Sequence, residues 1–388
     1  MSAASCQRPL RWGMVGGGQG AFIGGVHRIA ARLDGHYQLV AGALSSDPGR
    51  ALASGAELGL AADRCYSDFR EMARLESQRP DGIEVVSIVT PNHLHYPVAC
   101  AFIEAGIHVL CDKPVTTRLD DARDLQARAM SADVRFGITH NYSAYPLIRA
   151  ARDLVAEGEL GDLRIVQVEY AQDWLAGDLE SSGQKQAAWR TDPALAGPAG
   201  CLGDIGTHAA QLAEFVTGMV PTEISAELAT FVANRRVDDH VQVQLRYAQG
   251  ARGLLWASQV ACGEENHLRL RVYGTRAALH WDQESPNELM LQRAGEPARR
   301  LTRGMAGLPA SALGATRVPA GHPEGYLEAF AQIYRDFAAD VRDRQSGRAT
   351  LARVPGLEDG VRSMEFVEAV LASSQRDSAW VALGENRS

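Results

Sequence analysis

Three side chains in this sequence are suited to moving a proton and steadying negative charge: Lys113, Asp204 and His208. Lys113 stands in Cys111-Asp112-Lys113-Pro114, directly after the apolar run Ile107-His108-Val109-Leu110, which reads as a buried strand. The carboxyl end of such a strand is where open α/β sheets bind ligands. An ammonium is costly to bury without a purpose. Lysine also shifts its proton affinity readily on desolvation, which suits it to acid/base or electrostatic work. The plain alternative is a surface lysine followed by a turn proline. Asp204 and His208 open an apolar run that reaches Val216. If both are helical, they share one face a turn apart. Histidine is the usual general base near neutral pH, and a carboxylate can orient it. The alternative makes Asp204 a partner of the helix dipole and His208 a core residue. Spacing alone favours that alternative slightly. A glycine-rich turn upstream raises the standing of all three.

That turn is Gly16-Gly17-Gly18-Gln19-Gly20, between the apolar run Leu10–Gly16 and the helically spaced Phe22, Ile23, Val26, Ile29, Ala30 and Leu33. Strand, glycine turn and helix form the context of a dinucleotide fingerprint. Glycines let the backbone approach a pyrophosphate, and a helix amino terminus favours its charge. The alternation continues with strands over 37–44, 83–90, 108–111 and 134–139 and helices over 48–58, 93–106 and 118–130. Repeated βα units imply a doubly wound parallel sheet. The second strand runs into Leu44-Ser45-Ser46-Asp47-Pro48. An acid there would hold the ribose of NAD, and an arginine the extra phosphate of NADP. Ser45 and Ser46 can bond to either. Asp47 reads equally as a helix cap, and Arg50 as a phosphate ligand or a solvated helix residue.

Downstream of Val216, strands are predicted over 241–247, 253–261, 267–273, 277–281 and 288–292, separated by turns, which implies a largely antiparallel sheet. Helices over 326–342 and 356–374 follow, and 304–321 reads as a loop. The expected fold class is α/β. An N-terminal Rossmann domain over 1–140 precedes an α+β domain over 141–388 with a large, mostly antiparallel open sheet. At 388 residues, two domains are the default. The net charge of −8 and pI of about 5.8 argue against nucleic acid and anionic membrane as partners. No apolar run approaches the ~20 residues of a membrane span. The first ten residues lack the apolar core of a secretory signal. The six cysteines (Cys6, Cys65, Cys100, Cys111, Cys201 and Cys262) show no metal-type spacing, so reduced thiols in a cytoplasm are expected, with no metal.

Taken together, the glycine turn with Gly24-Gly25-Val26-His27, then Thr90-Pro91-Asn92-His93-Leu94-His95, then 108–114 and 203–208, resemble the Gfo/Idh/MocA family of nicotinamide-dependent oxidoreductases over nearly the whole chain. The resemblance implies NAD, with NADP as the alternative. It places Gly16, Gly18, Gln19, Phe22 and Ile23 at the pyrophosphate, and Ser45 and Ser46 at the ribose. Thr90, Pro91, Asn92, His95, Asp112 and Lys113 lie toward the nicotinamide, where Asn92 is the expected contact. It makes Lys113, Asp204 and His208 catalytic. Three departures stand out: Asp112 replaces the usual glutamate, Gln19-Gly20-Ala21 lengthens the turn, and Ser45 replaces an acidic ribose ligand.

The implied reaction is oxidation of a secondary alcohol on a sugar or cyclitol such as an inositol. His208 removes the hydroxyl proton, Lys113 stabilises the alkoxide, and Asp204 orients His208 or holds a neighbouring hydroxyl. Asn141, Tyr142, Trp189, Arg190 and His322 complete the expected substrate set with these three. Trp189 and Arg190 fall in a Gly/Pro-rich region read as loop, where they serve equally well as ligands or as a core aromatic and a surface charge. Two other classes share the fold: an NAD-dependent glycoside hydrolase and a non-catalytic sugar sensor. A homodimer or homotetramer is expected through the second sheet, because Leu254, Leu255, Trp256 and Val260 exceed what one buried face uses. The alternative is that loops cover that face.

Overall fold

The central strand of the first third is buried on both faces, as expected inside a parallel sheet: Val85–Val89 is buried at every position. The structure, a computed structural model, describes residues 8–349 and 353–384. In chain order the first elements are β1 (Leu10–Gly16), α1 (Phe22–Leu33), β2 (Tyr37–Ala43), α2 (Pro48–Glu57) and α3 (Phe69–Gln78). Next come β3 (Val85–Val89), α4 (His95–Glu104), β4 (His108–Cys111), α5 (Leu119–Ser131) and β5 (Phe136–Ile138). All five strands pair in parallel, in the order β2-β1-β3-β4-β5. The strand order therefore reverses beside β1, and the carboxyl ends of β1 and β3 flank the reversal. Asp47 does cap α2, accepting from the Arg50 amide at 2.7 Å.

The remaining elements are α6 (Pro146–Ala156), β6 (Leu163–Ala171), α7 (Lys185–Arg190), α8 (Pro193–Ala196), α9 (Thr207–Thr217), β7 (Pro221–Ala229), β8 (His240–Tyr247) and β9 (Arg252–Ser258). They continue with β10 (His267–Gly274), β11 (Ala277–Asp282), β12 (Glu288–Arg293), β13 (Arg299–Thr302), α10 (Ala310–Ala315), α11 (Tyr326–Gln345), α12 (Leu357–Ser374) and β14 (Val381–Ala382). The second sheet has nine strands in the order β13-β12-β11-β10-β6-β9-β8-β7-β14. Only β6 and β9 pair in parallel among its described neighbours. Two loop readings are corrected. Trp189 and Arg190 end a short helix, α7, capped at its start by Gln184, whose side chain accepts from Ala187 N, and α10 interrupts 304–321.

The chain divides into two compact units. Among the described residues, one holds 8–116, 120–139, 330–349 and 353–360; the other holds 117–119, 140–329 and 361–384. The sequence boundary falls at 140, and residues 330–360 pack with the first unit. In the second unit the sheet's inner face carries Val241, Val243, Leu245, Leu255, Leu268, Leu270 and Val272, all buried, with α9 against β6, β9 and β10. Each such side chain contributes about 1.5–3 kcal/mol by leaving water. The outer face is more polar than expected. Leu255 points inward and is 1% exposed, while Leu254 is 50% exposed beside Trp256. Gln167, Glu169, Gln242, Gln244, Arg269 and Arg271 surround them. Cys65, Cys100, Cys111, Cys201 and Cys262 are free thiols; Cys6 lies outside the described residues. No described helix is long and apolar enough to cross a membrane.

The approach to α9 depends on Asp238. Its carboxylate accepts from the amides of Gly200 and Leu202, each at 2.7 Å. Burial pushes this carboxyl up to about 6 against the pull of the two amides. Asp238→Ala leaves two buried donors unpaired and should lower stability by about 2–4 kcal/mol in urea titrations. The native state holds this proton more tightly than the unfolded chain. The group's contribution therefore falls as pH rises from 3.8 to about 6, and the variant should lose that slope.

Candidate active site

The glycine turn is shaped by close backbone approach. Gly17 has φ of +71°, and a Cβ there would lie 2.9 Å from Gly24 Cα. A Cβ on Gly18 would lie 2.6 Å from the Leu44 carbonyl oxygen. The first turn of α1 has no side-chain cap, so its leading amides remain for an anion. Gly17, Gly18, Gln19, Gly20, Phe22 and Ser54 line a groove at this point, together with Arg28. Arg28 donates to the Gly17 carbonyl at 2.6 Å. Sequence reading missed it, although a cation beside a phosphate turn is a recognisable signal. Ser54 was also missed; it is buried and its hydroxyl accepts from Gln19 N at 3.2 Å. The Gln19 side chain itself is tied to Glu57. Phe22 is 70% exposed and Ile23 half-buried. Ser45 accepts from Asp47 N at 3.1 Å, and Ser46 and Arg50 are exposed.

The carboxyl ends of β3 and β4 carry the next group. Gly16 closes β1, while Thr90, Pro91 and Asn92 follow β3 and lead into a 3₁₀ turn over Asn92–Leu94. His95 is buried, with Nδ1 2.7 Å from the Pro114 carbonyl and Nε2 3.0 Å from that of Thr90. It clasps the two motifs together, and both its ring nitrogens face backbone. Burial holds its imidazole below the ordinary range. The Thr90 hydroxyl is a buried polar atom with no hydrogen-bond partner. Asp112 accepts from the Thr139 hydroxyl at 2.5 Å and faces His27 Nε2 at 3.1 Å. Burial pushes its carboxyl up, and His27 and Thr139 pull it down further, so it stays below the ordinary carboxylate range. Lys113 follows it, half-exposed. An orphaned hydroxyl, a backbone cradle that a Cβ would fill, and uncapped helix amides fit a dinucleotide.

In the second unit, residues Leu202–Gly206 wind as a π-helical turn before α9. Asp204 lies in that turn and His208 in the first turn of α9. The expected α-helical pairing of the two is thus replaced by a change of winding between them. The Asp204 carboxylate accepts from Gln259 Nε2 at 2.9 Å and lies 3.5 Å from Arg190 Nε. Arg190 stacks on Trp189, 4.2 Å from the ring centroid, and stands 5.9 Å from that of Trp174. The His208 ring, 7% exposed, meets the edges of Tyr142 at 4.9 Å and His140 at 5.4 Å. The Tyr142 hydroxyl is 2.5 Å from that of Tyr170, which donates to Asn266 at 2.8 Å. Asn266 also accepts from Gln172, whose amide oxygen takes the indole proton of Trp174. Asn141 is buried, and its Nδ2 has no hydrogen-bond partner. The unit thus brings together Asp204 with Arg190 and Trp189, and His208 with Tyr142.

His322 stands apart on an exposed loop, where its carbonyl accepts from Arg303. No described hydrogen bond or ring contact links its side chain to those groups. Sequence reading also missed His140, Tyr170, Gln172, Trp174, Gln259 and Asn266. Alternation along β6 marks Tyr170, but pairing across sheet register is what assembles the rest. The fold also gathers His267, Asp282 and Glu284 at spacing a metal could use. There His267 already bonds Asp282 at 2.8 Å and Glu264 at 2.5 Å, and Arg269 bonds Asp282 at 3.1 Å.

Comparison with known proteins gives this geometry a context. Residues 10–140 match the oxidoreductase family with an NAD-binding Rossmann fold, and residues 148–280 match the GFO/IDH/MocA C-terminal domain. An uncharacterised oxidoreductase of Bacillus subtilis, YfiI, is 36% identical over 96% of this chain and 97% of its own. The chain belongs to the Gfo/Idh/MocA family. It is an NAD-binding oxidoreductase. A solved inositol dehydrogenase homolog from Azotobacter vinelandii, in complex with NADH and myo-inositol, is 37% identical with a TM-score of 0.91 over 97% of this chain and 98% of that one. Levoglucosan dehydrogenase of Pseudarthrobacter phenanthrenivorans is 28% identical over 75% of this chain and 78% of its own.

Gly24 gives the cradle a direct test. A Cβ there would meet the Gly17 backbone at 2.4 Å. Gly-to-Ala inside a helix ordinarily gains about 1 kcal/mol. Here Gly24→Ala should instead cost about 1–3 kcal/mol in thermal melts and weaken NADH binding, read by its fluorescence.

Proposed function

We propose that this oxidoreductase acts on a secondary alcohol of a cyclitol or sugar, with inositol-like polyols as the first class to try. The observation that carries the reading is the Asp204 carboxylate, held by Arg190 and Gln259 beside a Trp189 face and near the start of the helix that bears His208. A carboxylate and guanidinium side by side can accept from one hydroxyl and donate to its neighbour. An indole face covers the apolar side of a ring. The Azotobacter homolog solved with myo-inositol supports the same class.

Gly17, Gly18, Arg28 and Ser54 would hold the pyrophosphate, and Thr90 and Asn92 the nicotinamide end. The chemistry supplied by a bound nicotinamide is acceptance of hydride from the alcohol carbon. His208 takes the hydroxyl proton as general base. The Lys113 ammonium steadies the oxygen as it gains negative charge. Asp204, tethered by two donors, stays an acceptor and fixes a neighbouring hydroxyl, rather than serving as the base. NAD is the preferred cofactor: Azotobacter homologs were solved with NAD+ and with NADH, and no arginine directly follows Ser46.

A panel of inositols, free sugars and anhydrosugars, each with NAD and with NADP, tests this by absorbance of the reduced cofactor. Net NADH formation with a polyol is expected. Aglycone release from a glycoside without net reduction would overturn it, and tighter NADP binding would overturn the cofactor preference. Lys113→Ala and His208→Ala should each cut kcat about 100-fold or more while leaving the NADH dissociation constant within a few-fold. A folded variant with near-normal turnover would remove that residue from the mechanism.

We also assign the outer face of the nine-stranded sheet, with Leu254 and Trp256 among its glutamines and arginines, to contact with a second copy of the chain. Light scattering over a dilution series should show a dimer or tetramer that Trp256→Asp dissociates. A micromolar monomer would refute the assignment.

A further inference from the structure

Within the first unit, a line of buried hydrogen bonds ends on the acid next to Lys113. Trp12 Nε1 donates to Ser87 Oγ at 2.8 Å, and Ser87 Oγ lies 2.7 Å from the Tyr334 hydroxyl. That hydroxyl lies 2.8 Å from His27 Nδ1, and His27 Nε2 lies 3.1 Å from Asp112 Oδ1. Trp12, His27 and Ser87 are 0% exposed and Tyr334 1%. Tyr334 comes from α11, and its own carbonyl accepts from Tyr37 at 2.9 Å. Tyr37, Trp12 and His27 all meet its ring edge-on, between 5.2 and 5.7 Å.

The donors can be counted along this line. An indole N–H only donates, and a carboxylate only accepts. From the Asp112 end, His27 must therefore carry a proton on Nε2. If Nδ1 is bare, it accepts from Tyr334, Tyr334 accepts from Ser87, and Ser87 accepts from Trp12. Every group is then satisfied, with all bonds pointing the same way. If Nδ1 were protonated as well, it would donate to Tyr334, and Tyr334 would donate to Ser87. Ser87 would then receive two protons from its line partners and have no acceptor among them for its own, a costly arrangement in the interior.

We infer that His27 is a positioning residue for the lysine motif: as a neutral imidazole protonated on Nε2, it holds the Asp112 carboxylate in place, and the Trp12 donor, acting through Ser87 and Tyr334, keeps Nδ1 bare. The effect on turnover rests on the reading that Lys113 steadies the reacting oxygen; the tautomer does not.

Nitrogen NMR of the full-length protein labelled in histidine tests the first part. The His27 signals are identified by their loss in His27→Gln. Nε2 protonated and Nδ1 bare is the expected pattern; a proton on Nδ1, alone or with Nε2, overturns the assignment. Tyr334→Phe keeps the ring packing and removes only the hydroxyl. It should lift the restriction on Nδ1, which can then take a proton while Nε2 keeps its own, and lower kcat about tenfold, the upper scale of one neutral hydrogen bond, with the NADH dissociation constant moved less than about twofold. His27→Gln, whose amide nitrogen can stand in for Nε2, should retain more activity than His27→Leu. Folded His27→Leu with full kcat would overturn the positioning role. If no polyol is oxidised, the function reading fails and the positioning role is read from the Asp112 carboxyl carbon shift, which should move in Tyr334→Phe and whose constancy would refute it.

Discussion

An indole N–H can give a hydrogen bond and cannot receive one, and two polar lines of this protein, one in each unit, are organised by that asymmetry. Hydroxyls and amides are ambiguous partners; a tryptophan at one end of a chain of them removes the ambiguity. Trp174 gives its proton to the Gln172 carbonyl oxygen, so the Gln172 amino group must face Asn266, which presents its oxygen. Tyr170 then gives to Asn266 and Tyr142 gives to Tyr170. The Tyr142 oxygen beside His208 is left with lone pairs only. Side chains from β6, the loop before β10 and the turn before α6 are thus held in one sense of polarity. At its buried end, between Tyr142 and Tyr170, an unpaired hydroxyl is costly, so the sense set by Trp174 at the half-exposed end is carried inward.

The division of labour follows from topology. Parallel strands deliver Gly16, Thr90, Asp112 and Thr139 to the carboxyl edge of one sheet. Antiparallel strands of the other cannot concentrate residues at one edge in this way. They rely on register, which carries Gln259 just past β9 to Asp204. Arg190 reaches the same carboxylate from a six-residue helix. Two donors on Asp204 make it a fixed acceptor, and a fixed acceptor is more useful for recognising a hydroxyl than for shuttling a proton.

Legibility in the sequence tracked how local each signal was. β1, the glycine turn and α1 were plain because a strand, a turn and a helical stripe lie within 24 residues. The helix α3 was hidden because its inward face includes Glu76. That acid is buried against Arg64, the Tyr66 hydroxyl and Ile83 N, so the apolar stripe is broken by a charge that the fold satisfies. Leu254 and Leu255 looked alike in sequence, and the pleat sends them to opposite faces. Asp204 and His208 were singled out by residue type and by the family resemblance, while the π-helical turn that holds Asp204 was not foreseen, since winding depends on packing more than composition. Tyr170 and Asn266 lie 96 residues apart and meet only through strand pairing, which no single stretch of sequence announces.

The return of residues 330–360 to the first unit sets an order on synthesis. The five parallel strands are complete once residue 138 has left the ribosome, but Tyr334, which closes over Trp12 and His27, arrives about 200 residues later. At roughly 5–20 residues per second, the nascent nucleotide-binding sheet waits about 10–40 s with its polar line unfinished. Those seconds leave two buried-to-be side chains, an indole and an imidazole, open to water. A chaperone or the ribosome surface would meet that face first, and the segment bearing Tyr334 acts as its lid in time as well as in space.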